Sequence, residues 1–271
     1  MLNTYVTSDI HGCLSQLRRL LDEASPSDDD VVWVLGDICD RGPESAESLW
    51  WAVEEAPANV RFLLGNHETF AREVFCEAPE LWEPMCDRGW WINGGTETLL
   101  SVTDAYGTGW VMERLCPWLR GLRPYELVED GLGRPWALVH AGFDTRAWDA
   151  GSSGPVMFER PSVTFDVGGG FGTQDETVMT WVREGWYDYP GECPMPVVYG
   201  HTPTNLVCEH ALHHGAVQGD SLWFERVPAE GRIWHFRDRH NVDCGCVYGG
   251  HLGMMRLEDG EEFYADGLPR R

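Results

Sequence analysis

Basic residues are scarce in this sequence. Its 271 residues include 20 lysine and arginine side chains against 44 aspartate and glutamate side chains, a formal net charge of −24 at pH 7. A protein that binds DNA or RNA without sequence preference needs a basic face, and no such concentration of positive charge is visible. We therefore expect neither a nucleic acid nor an anionic membrane among its partners, and we expect an acidic, well-solvated surface.

Paired cysteine motifs and long apolar runs are also missing. The nine cysteines contain no Cys-x-x-Cys pair, and an odd number cannot all be paired within one chain. The N-terminus has no basic stretch followed by an apolar segment, and no run reaches the roughly eighteen apolar residues of a membrane helix. These absences predict reduced thiols in a cytoplasmic protein that is neither secreted nor membrane-spanning.

The composition is that of a folded globular protein. Hydrophobic residues make up 43% of the chain and aromatic residues 12%, which is enough for a packed core and excludes an intrinsically disordered chain. Internal repeats and low-complexity linkers are absent from the sequence. We therefore predict one domain over residues 1–271, although this length is near the upper end for a single core.

The N-terminal third has the pattern of a βαβαβ unit. Short apolar, β-branched runs that end at turn-forming or charged residues predict strands over residues 5–8, 31–35 and 60–64. Leucines at helical spacing predict a helix from residue 14, and a second helix is predicted over residues 45–55.

The rest of the chain is predicted to contain a helical region, a long loop and several short strands. Residues 69–132 look mostly helical, with a break at Gly94-Gly95, and residues 149–176 look like an insertion or long surface loop. A strand is predicted over 136–140 and another leads into Gly200. Short apolar runs then predict antiparallel strands over 222–224, 233–236, 254–257 and 263–264.

Polar residues follow five of the predicted strands. The five segments are Asp9-Ile10-His11-Gly12, Gly36-Asp37-Ile38-Cys39-Asp40-Arg41-Gly42, Gly65-Asn66-His67-Glu68, His140-Ala141-Gly142 and Gly200-His201-Thr202. Ligands in α/β sheets bind at the carboxyl ends of strands, so these segments are expected to converge. Carboxylate, imidazole and amide groups form a mixed set of oxygen and nitrogen donors. Such a set suits Mn²⁺, Fe or Zn²⁺ and differs from a soft thiolate site. Each motif alone also fits a cap or a turn, but all five in this order favour a metal site.

In this order the five motifs resemble those of the calcineurin-like metallophosphoesterases, and among these the phosphoprotein phosphatase type of bacteria and phages. The shared signature is D-x-H-G, G-D-x-x-D-R-G, G-N-H-E, H-A-G and G-H-T, and the resemblance continues through residues 91–95 and 241–250. It covers nearly the whole chain. The resemblance implies an α/β fold with a central β-sandwich flanked by helices, and a dinuclear metal site at the carboxyl ends of the strands.

The resemblance also implies six metal ligands on two divalent ions that share one carboxylate. The first ion would be held by Asp9, His11 and Asp37. The second would be held by Asp37, Asn66, His140 and His201. Two such cations clamp a phosphate and supply a bridging hydroxide as the nucleophile near neutral pH. We expect Mn²⁺, with Fe and Zn²⁺ as alternatives.

Catalytic and phosphate-binding roles follow from the same resemblance. His67 would protonate the leaving oxygen, and Asp40 would hydrogen-bond the His67 ring and favour the imidazolium. Arg41 and Arg183 would bind phosphate oxygens, together with Asn66, because a guanidinium offers two parallel donors that lysine lacks.

Two sets of residues stay open at this point. Arg146 and Arg160 lie in neighbouring loops and are alternatives to Arg183. Three histidines follow the Gly200-His201-Thr202-Pro203 segment, where many broader relatives have a further metal-binding histidine. We interpret them as surface or loop residues because no carboxylate pattern accompanies them. They are His210, His213 and His214.

The leading functional hypothesis is a cytoplasmic two-metal phosphomonoesterase that dephosphorylates phosphoserine or phosphothreonine in proteins. The segment 40–42 and Glu68 favour this interpretation, as does the acidic composition, which should repel a long polyanion. The alternative is a hydrolase of diadenosine tetraphosphate or another nucleoside polyphosphate. A third hypothesis, an inactive metal-binding interaction module, conflicts with the complete ligand set. The sequence leaves the oligomeric state open.

Overall fold

The computed structural model describes residues 2–77, 88–145, 175–183, 185–187, 189, 191–207 and 231–269. Within them the strands, in chain order, are β1 (Thr4–Thr7), β2 (Val31–Val34), β3 (Val60–Phe62), β4 (Tyr125–Glu129), β5 (Pro135–Val139), β6 (Val197–Tyr199), β7 (Trp234–Phe236), β8 (Arg239–Asn241), β9 (His251–Arg256) and β10 (Glu262–Asp266). The α-helices are α1 (Leu14–Ala24), α2 (Ser45–Trp50), α3 (Asn66–Arg72), α4 (Arg88–Trp90), α5 (Thr96–Trp110), α6 (Cys116–Gly121) and α7 (Glu176–Trp181). Wider π-helical turns extend several of these helices, over Trp51–Glu55, Glu73–Glu77, Trp91–Gly95 and Val111–Leu115, and Cys246–Tyr248 forms a short 3₁₀ turn.

These strands form two mixed sheets of five strands each. In the first sheet the order is β10-β9-β1-β2-β3. The strands β1, β2 and β3 are parallel, β9 runs antiparallel to β1, and β10 runs antiparallel to β9. In the second sheet the order is β4-β5-β6-β8-β7, with β5, β6 and β8 parallel. Both outer strands of the second sheet, β4 and β7, run antiparallel to their neighbours.

Side-chain alternation along the central strands builds a β-sandwich. Trp33 on β2 and Leu138 on β5 belong to one apolar cluster that lies between the sheets. Their strand neighbours point to the outer faces, where Val32 packs under α1 and Val139 packs against Trp186 in a separate cluster. A further apolar cluster is contributed mainly by the helices between residues 45 and 122. The α/β fold with a sandwich flanked by helices is therefore confirmed.

Most of the predicted elements are present, with one clear exception. The βαβαβ order is confirmed, and Gly94 interrupts the helical region with a φ of +98°. Residues 125–129 are a strand instead of helix, because they pair along their length with β5 across a tight turn held by Asp130. The strands β7, β9 and β10 match three of the predicted C-terminal strands, whereas β8 was not predicted and pairs antiparallel with β7.

Some predictions fall outside the described residues. The strand over 222–224 lies there, as does the predicted loop over 149–176 except for Asp175, which caps α7, and Glu176, its first residue. Among the described helices, none has both the length and the apolar character required to cross a membrane.

Candidate active site

The six predicted metal ligands lie together, each shortly after the end of a strand, five in loops and Asn66 as the first residue of α3. Asp9 and His11 follow β1, Asp37 follows β2, Asn66 follows β3, His140 follows β5 and His201 follows β6. All six are buried. We call these six residues the ligand cluster.

The backbone of this cluster is strained where the side chains turn inward. Positive φ angles are uncommon for residues other than glycine and cost free energy, so they persist only where the surroundings hold them. Two glycines permit the close approach, since a Cβ on Gly65 would lie 2.3 Å from Asp37 Oδ1 and one on Gly200 would lie 2.2 Å from Asp9 Oδ2. The site residues with φ between +45° and +71° are Asp9, His11, Asp37, Asp40, Arg41 and His201.

Asp37 lies between two sets of histidines. Its Oδ2 is 3.5 Å from His11 Nε2, and its Oδ1 is 3.4 Å from His140 Nε2. Two groups of donor atoms within 4.8 Å of one another share this carboxylate, one with His11 and His67 and the other with His140 and His201. Asp37 is therefore placed to bridge two cations, because each of its oxygens faces a different group.

Hydrogen bonds orient the other ligands. Nδ1 of His11 lies 3.0 Å from the carbonyl oxygen of Cys39, and Nδ1 of His140 lies 2.8 Å from that of Leu35. A carbonyl accepts a hydrogen bond from Nδ1–H, and Nε2 of each neutral ring is then unprotonated, the form that coordinates a metal. Asn66 Oδ1 lies 3.0 Å from His140 Nε2 and 2.9 Å from Nδ1 of His201, so it belongs to the second group of donors.

Three buried polar atoms of the site have no hydrogen-bond partner among the described residues: Asp9 Oδ1, His67 Nε2 and His201 Nε2. Buried polar atoms are nearly always paired, so three unpaired ones at one place indicate a missing partner. Burial lowers the pKa of His11 and His201 well below the usual histidine value, which favours the neutral, coordinating ring. Burial, and then the neighbouring charge of Asp9, raises the pKa of Asp37, and a cation beside this carboxylate would oppose that rise. The residues present fit divalent metal ions.

His67 and Asp40 form a hydrogen-bonded pair beside the ligand cluster. His67 Nδ1 is 2.6 Å from Asp40 Oδ2, and Asp40 also accepts hydrogen bonds from Trp90 Nε1 and Thr98 Oγ1. Burial raises the pKa of Asp40 to about 7, and burial followed by the charge of Arg41 lowers the pKa of His67. Burial thus opposes the imidazolium that Asp40 was expected to favour, whereas an anion bound beside Nε2 would favour it.

The two predicted phosphate-binding arginines contact different parts of the site. Arg41 Nη1 is 2.5 Å from His11 Nε2, in the first group. Arg183 Nη1 donates to Thr202 Oγ1 at 3.2 Å, next to His201 of the second group. After burial and the charge of His140, the charges of both arginines also lower the pKa of His201, so both guanidinium groups lie close to the ligand cluster. The remaining open residues, Arg146, Arg160, His210, His213 and His214, lie outside the described residues.

Glu68 has a part in this site that the motif alone did not reveal. Its two carboxylate oxygens accept hydrogen bonds from the backbone N–H groups of Asp37 (2.7 Å) and Ile38 (2.8 Å), and also from that of Gly65. Burial raises the pKa of Glu68 to about 7. Glu68 thus ties the loop that carries Asp37 to the loop that carries Asn66, and its place directly after Asn66-His67 was the available sign.

Asp243 is a second residue whose position near the site was missed. It is buried in the loop after β8, and its Oδ1 accepts a hydrogen bond from Gly245 N at 3.0 Å. Burial and then the charge of Asp9 raise its pKa well above the usual aspartate value, and Arg41 acts in the opposite direction. The sequence sign was a sixth polar strand end, at Asn241-Val242-Asp243.

Comparison with known proteins agrees with this geometry. The calcineurin-like phosphoesterase family matches residues 2–255. This chain belongs to that family. Calcineurin-like phosphoesterases use divalent metals, and the chain is accordingly a metal-dependent hydrolase of phosphoesters.

Two relatives found by sequence are named symmetrical bis(5'-nucleosyl)-tetraphosphatases. The one from Photorhabdus laumondii is 26% identical over 99% of this chain and 98% of its own length. The one from Pectobacterium carotovorum is 32% identical over 98% of this chain and 96% of its own length. These names favour the alternative hypothesis of the sequence analysis over its leading one.

Solved structures of the family show the shared fold. A structure whose name assigns it provisionally to the diadenosine tetraphosphatases has a TM-score of 0.56 at 16% identity, over 98% of this chain and 94% of that one. A protein serine/threonine phosphatase from Saccharomyces cerevisiae has a TM-score of 0.50 at 12% identity, over 99% of this chain and 81% of that one. At these identities the likeness concerns the fold alone.

Proposed function

We propose that this phosphoesterase hydrolyses bis(5'-nucleosyl) tetraphosphates at the centre of the phosphate chain. The observation that carries the proposal is the presence of two guanidinium groups at the site, that of Arg41 against His11 Nε2 and that of Arg183 on Thr202, the residue after His201. Such an arrangement neutralises charge that is spread along several phosphates. The relatives named as symmetrical tetraphosphatases, which match the chain almost end to end, support the same substrate.

The reaction needs little from the protein beyond positioning and proton transfer. A water oxygen forms a bond to one central phosphorus, the bond from that phosphorus to the central bridging oxygen breaks, and two nucleoside diphosphates result. Bound divalent ions supply Lewis acidity and lower the pKa of water. We assign the ions to the ligand cluster, with Mn²⁺ preferred, phosphate binding to Arg41, Arg183 and Asn66, and proton donation to Nε2 of His67.

Asp40 has a supporting role in this assignment. Its carboxylate accepts the hydrogen bond from His67 Nδ1, and its other contacts with Trp90 and Thr98 keep it in place. The Nε2 atom of His67, which has no hydrogen-bond partner within the described residues, is then the atom that meets the leaving oxygen.

The test is a comparison of substrates at one Mn²⁺ concentration and one ionic strength. We expect kcat/KM for diadenosine tetraphosphate to exceed that for a phosphoserine peptide by at least about tenfold, which corresponds to about 1.4 kcal/mol. ADP should be the sole nucleotide product, whereas unequal cleavage would release ATP and AMP. The His67→Asn variant, purified in parallel, controls for contaminating phosphatases. A faster reaction with the peptide would restore the protein phosphatase hypothesis.

A further inference from the structure

An open groove lies next to the ligand cluster. It has a volume of about 980 Å³, which is within the range of small-molecule binding sites. The residues that carry the argument below are Arg41, Trp91, Ile92, Asn93, Glu97 and Tyr248. We call this feature the side groove.

Arg41 contacts the ligand cluster and also lines the side groove. Its Nη1 contacts His11 Nε2, while its Nη2 donates to Asn93 Oδ1 at 3.2 Å. Its guanidinium carbon also lies 5.7 Å from the centre of the Tyr248 ring. A substrate with a phosphate on Arg41 can therefore extend directly into the groove.

The groove exposes apolar and aromatic side chains to solvent. Ile92 is 84% exposed and Tyr248 is 43% exposed, and both line the groove. Trp91 lines it as well and packs against Trp90 with ring centres 5.3 Å apart. Exposed apolar side chains gathered in one groove usually mark a binding surface. Aromatic rings in particular provide faces on which a nucleobase stacks.

The side groove is also nearly neutral, unlike the chain as a whole. The chain carries a net charge of −24, yet among the described residues that line the groove the charged side chains are Arg41 and Glu97. An anionic substrate therefore meets no excess of negative charge here. The repulsion expected from the overall composition does not apply to this surface.

One wall of the groove, formed by residues 91–94, packs closely against Arg41. Gly94 has a φ of +98°, and a Cβ at this position would lie 2.4 Å from the backbone nitrogen of Arg41. Asn93 donates from Nδ2 to the carbonyl oxygen of Gly89 at 2.8 Å, which orients its Oδ1 toward Arg41. The segment that carries Trp91 and Ile92 is thus packed directly beside the phosphate-binding group.

We propose that the side groove binds one nucleoside of the substrate, with the base against Tyr248 and Ile92 and the adjoining phosphate on Arg41. This inference rests on the proposed function, which supplies a substrate with nucleosides at both ends. A peptide alongside a phosphoserine is the competing occupant, and the experiments below separate the two.

Photolabelling tests the groove without relying on turnover. The probe is 8-azidoadenosine 5'-diphosphate, applied to the Mn²⁺-loaded enzyme and followed by cleavage after arginine and mass spectrometry. That cleavage places Trp91 and Ile92 in the peptide 89–114 and Tyr248 in the peptide 240–256. We expect label in one or both peptides and protection by excess ADP. Label found only elsewhere in the chain would overturn the proposal.

Substitutions test whether the groove recognises the base. We expect Ile92→Ser and Tyr248→Leu to raise KM for diadenosine tetraphosphate by about fivefold or more, the usual size of a lost stacking contact. Both variants should keep the KM for inorganic tetraphosphate, which has no base, within about twofold of the wild-type value. Tyr248→Phe retains the ring and should retain the low KM. Leu132→Ser is the matched control, since Leu132 is also exposed but lies in the β4–β5 turn.

The outcomes distinguish this inference from the proposed function. An equal rise in KM for diadenosine tetraphosphate and for inorganic tetraphosphate would mean that the groove only supports Arg41. The nucleoside subsite would then be wrong. A raised KM for the phosphopeptide alone would make a peptide the occupant and would likewise overturn it. Should the wild-type enzyme fail to hydrolyse diadenosine tetraphosphate while the probe still labels peptides 89–114 or 240–256, the proposed function fails and the nucleoside subsite stands.

Discussion

The ligand cluster and the side groove are neighbours, yet they are built in different ways. The cluster is buried, uses strained backbone angles at residues such as Asp37 and His201, and is held by hydrogen bonds from the loops around it. The groove exposes Ile92 and Tyr248 to solvent, and the Tyr248 ring lies beside the Arg41 guanidinium.

This difference separates two properties of the enzyme. Strained loops held by backbone hydrogen bonds place donor atoms accurately, so the cluster decides which reaction takes place. An exposed apolar surface contributes binding free energy without touching the reacting atoms, so the groove decides which substrate is preferred. Changes in the cluster should therefore affect every substrate alike, and changes in the groove should affect only substrates that carry a base.

Replacement of Asp37 should have the largest effect. We expect Asp37→Asn to lower the metal content measured by elemental analysis and to reduce kcat by about 10³-fold or more with every phosphoester, because one carboxylate faces both groups of donors. Chelation of the wild-type enzyme should abolish activity in the same way, and Mn²⁺ should restore it best. Full turnover by the chelated protein would contradict the metal assignment.

His67→Asn should leave the metal content unchanged and slow the chemistry. The expected fall in kcat is about 10²-fold or more, and it should be largest for poor leaving groups that need a proton. Rates measured with alkyl and aryl phosphates, together with elemental analysis, check this prediction. Loss of metal would instead make His67 a ligand, and equal slowing of alkyl and aryl esters would contradict its role as the general acid.

Glu68→Gln should weaken metal binding without removing a ligand. In the wild type, both carboxylate oxygens accept hydrogen bonds from backbone N–H groups. The amide of the variant keeps one acceptor oxygen, but its NH₂ group would face one of these N–H donors. We expect metal affinity to fall by about 10-fold to 100-fold, as is usual for residues that orient ligands. A Mn²⁺ titration of activity measures it, and kcat at saturating Mn²⁺ should recover. A low kcat that excess Mn²⁺ cannot restore would argue for a direct part in the reaction.

The smallest effect on activity is expected for Asp130→Asn, far from both regions in the β4–β5 turn. The Asp130 carboxylate accepts hydrogen bonds from Arg134 Nε at 2.7 Å and Trp136 Nε1 at 3.1 Å. We expect the variant to lose about 1–3 kcal/mol of unfolding free energy, measured in urea, with kcat and KM unchanged. A change in kcat would show that the second sheet is coupled to the cluster more tightly than its position indicates.

The stability difference at Asp130 should depend on pH. Burial acts to raise the pKa of Asp130, but hydrogen bonds from Arg134 and Trp136 outweigh it and lower this pKa below the usual value. An acid whose pKa falls on folding stabilises the protein above its unfolded pKa of about 3.9. The advantage of the wild type over Asp130→Asn should therefore be complete near neutral pH and should shrink as the pH falls through the folded pKa.

The sequence by itself determined the reaction centre. Each ligand follows a strand that local residue patterns predict, and parallel strands bring their carboxyl ends to one edge. Asp9, Asp37 and Asn66 could therefore be placed together from the sequence pattern, while the sandwich around them was implied by the family resemblance. The resemblance of the five motifs added the distribution of ligands between two ions.

What only the tertiary structure decided depends on contacts between distant segments. The strand β4 forms because β5 is available to pair with it, and Asp243 reaches the surroundings of Asp9 through a chain separation of more than two hundred residues. The composition predicted repulsion of polyphosphates because net charge is a sum over the whole chain. Binding depends on the charges that folding brings to one place, and here folding placed Arg41 and Arg183 beside the ligands and gathered a nearly neutral aromatic groove next to them.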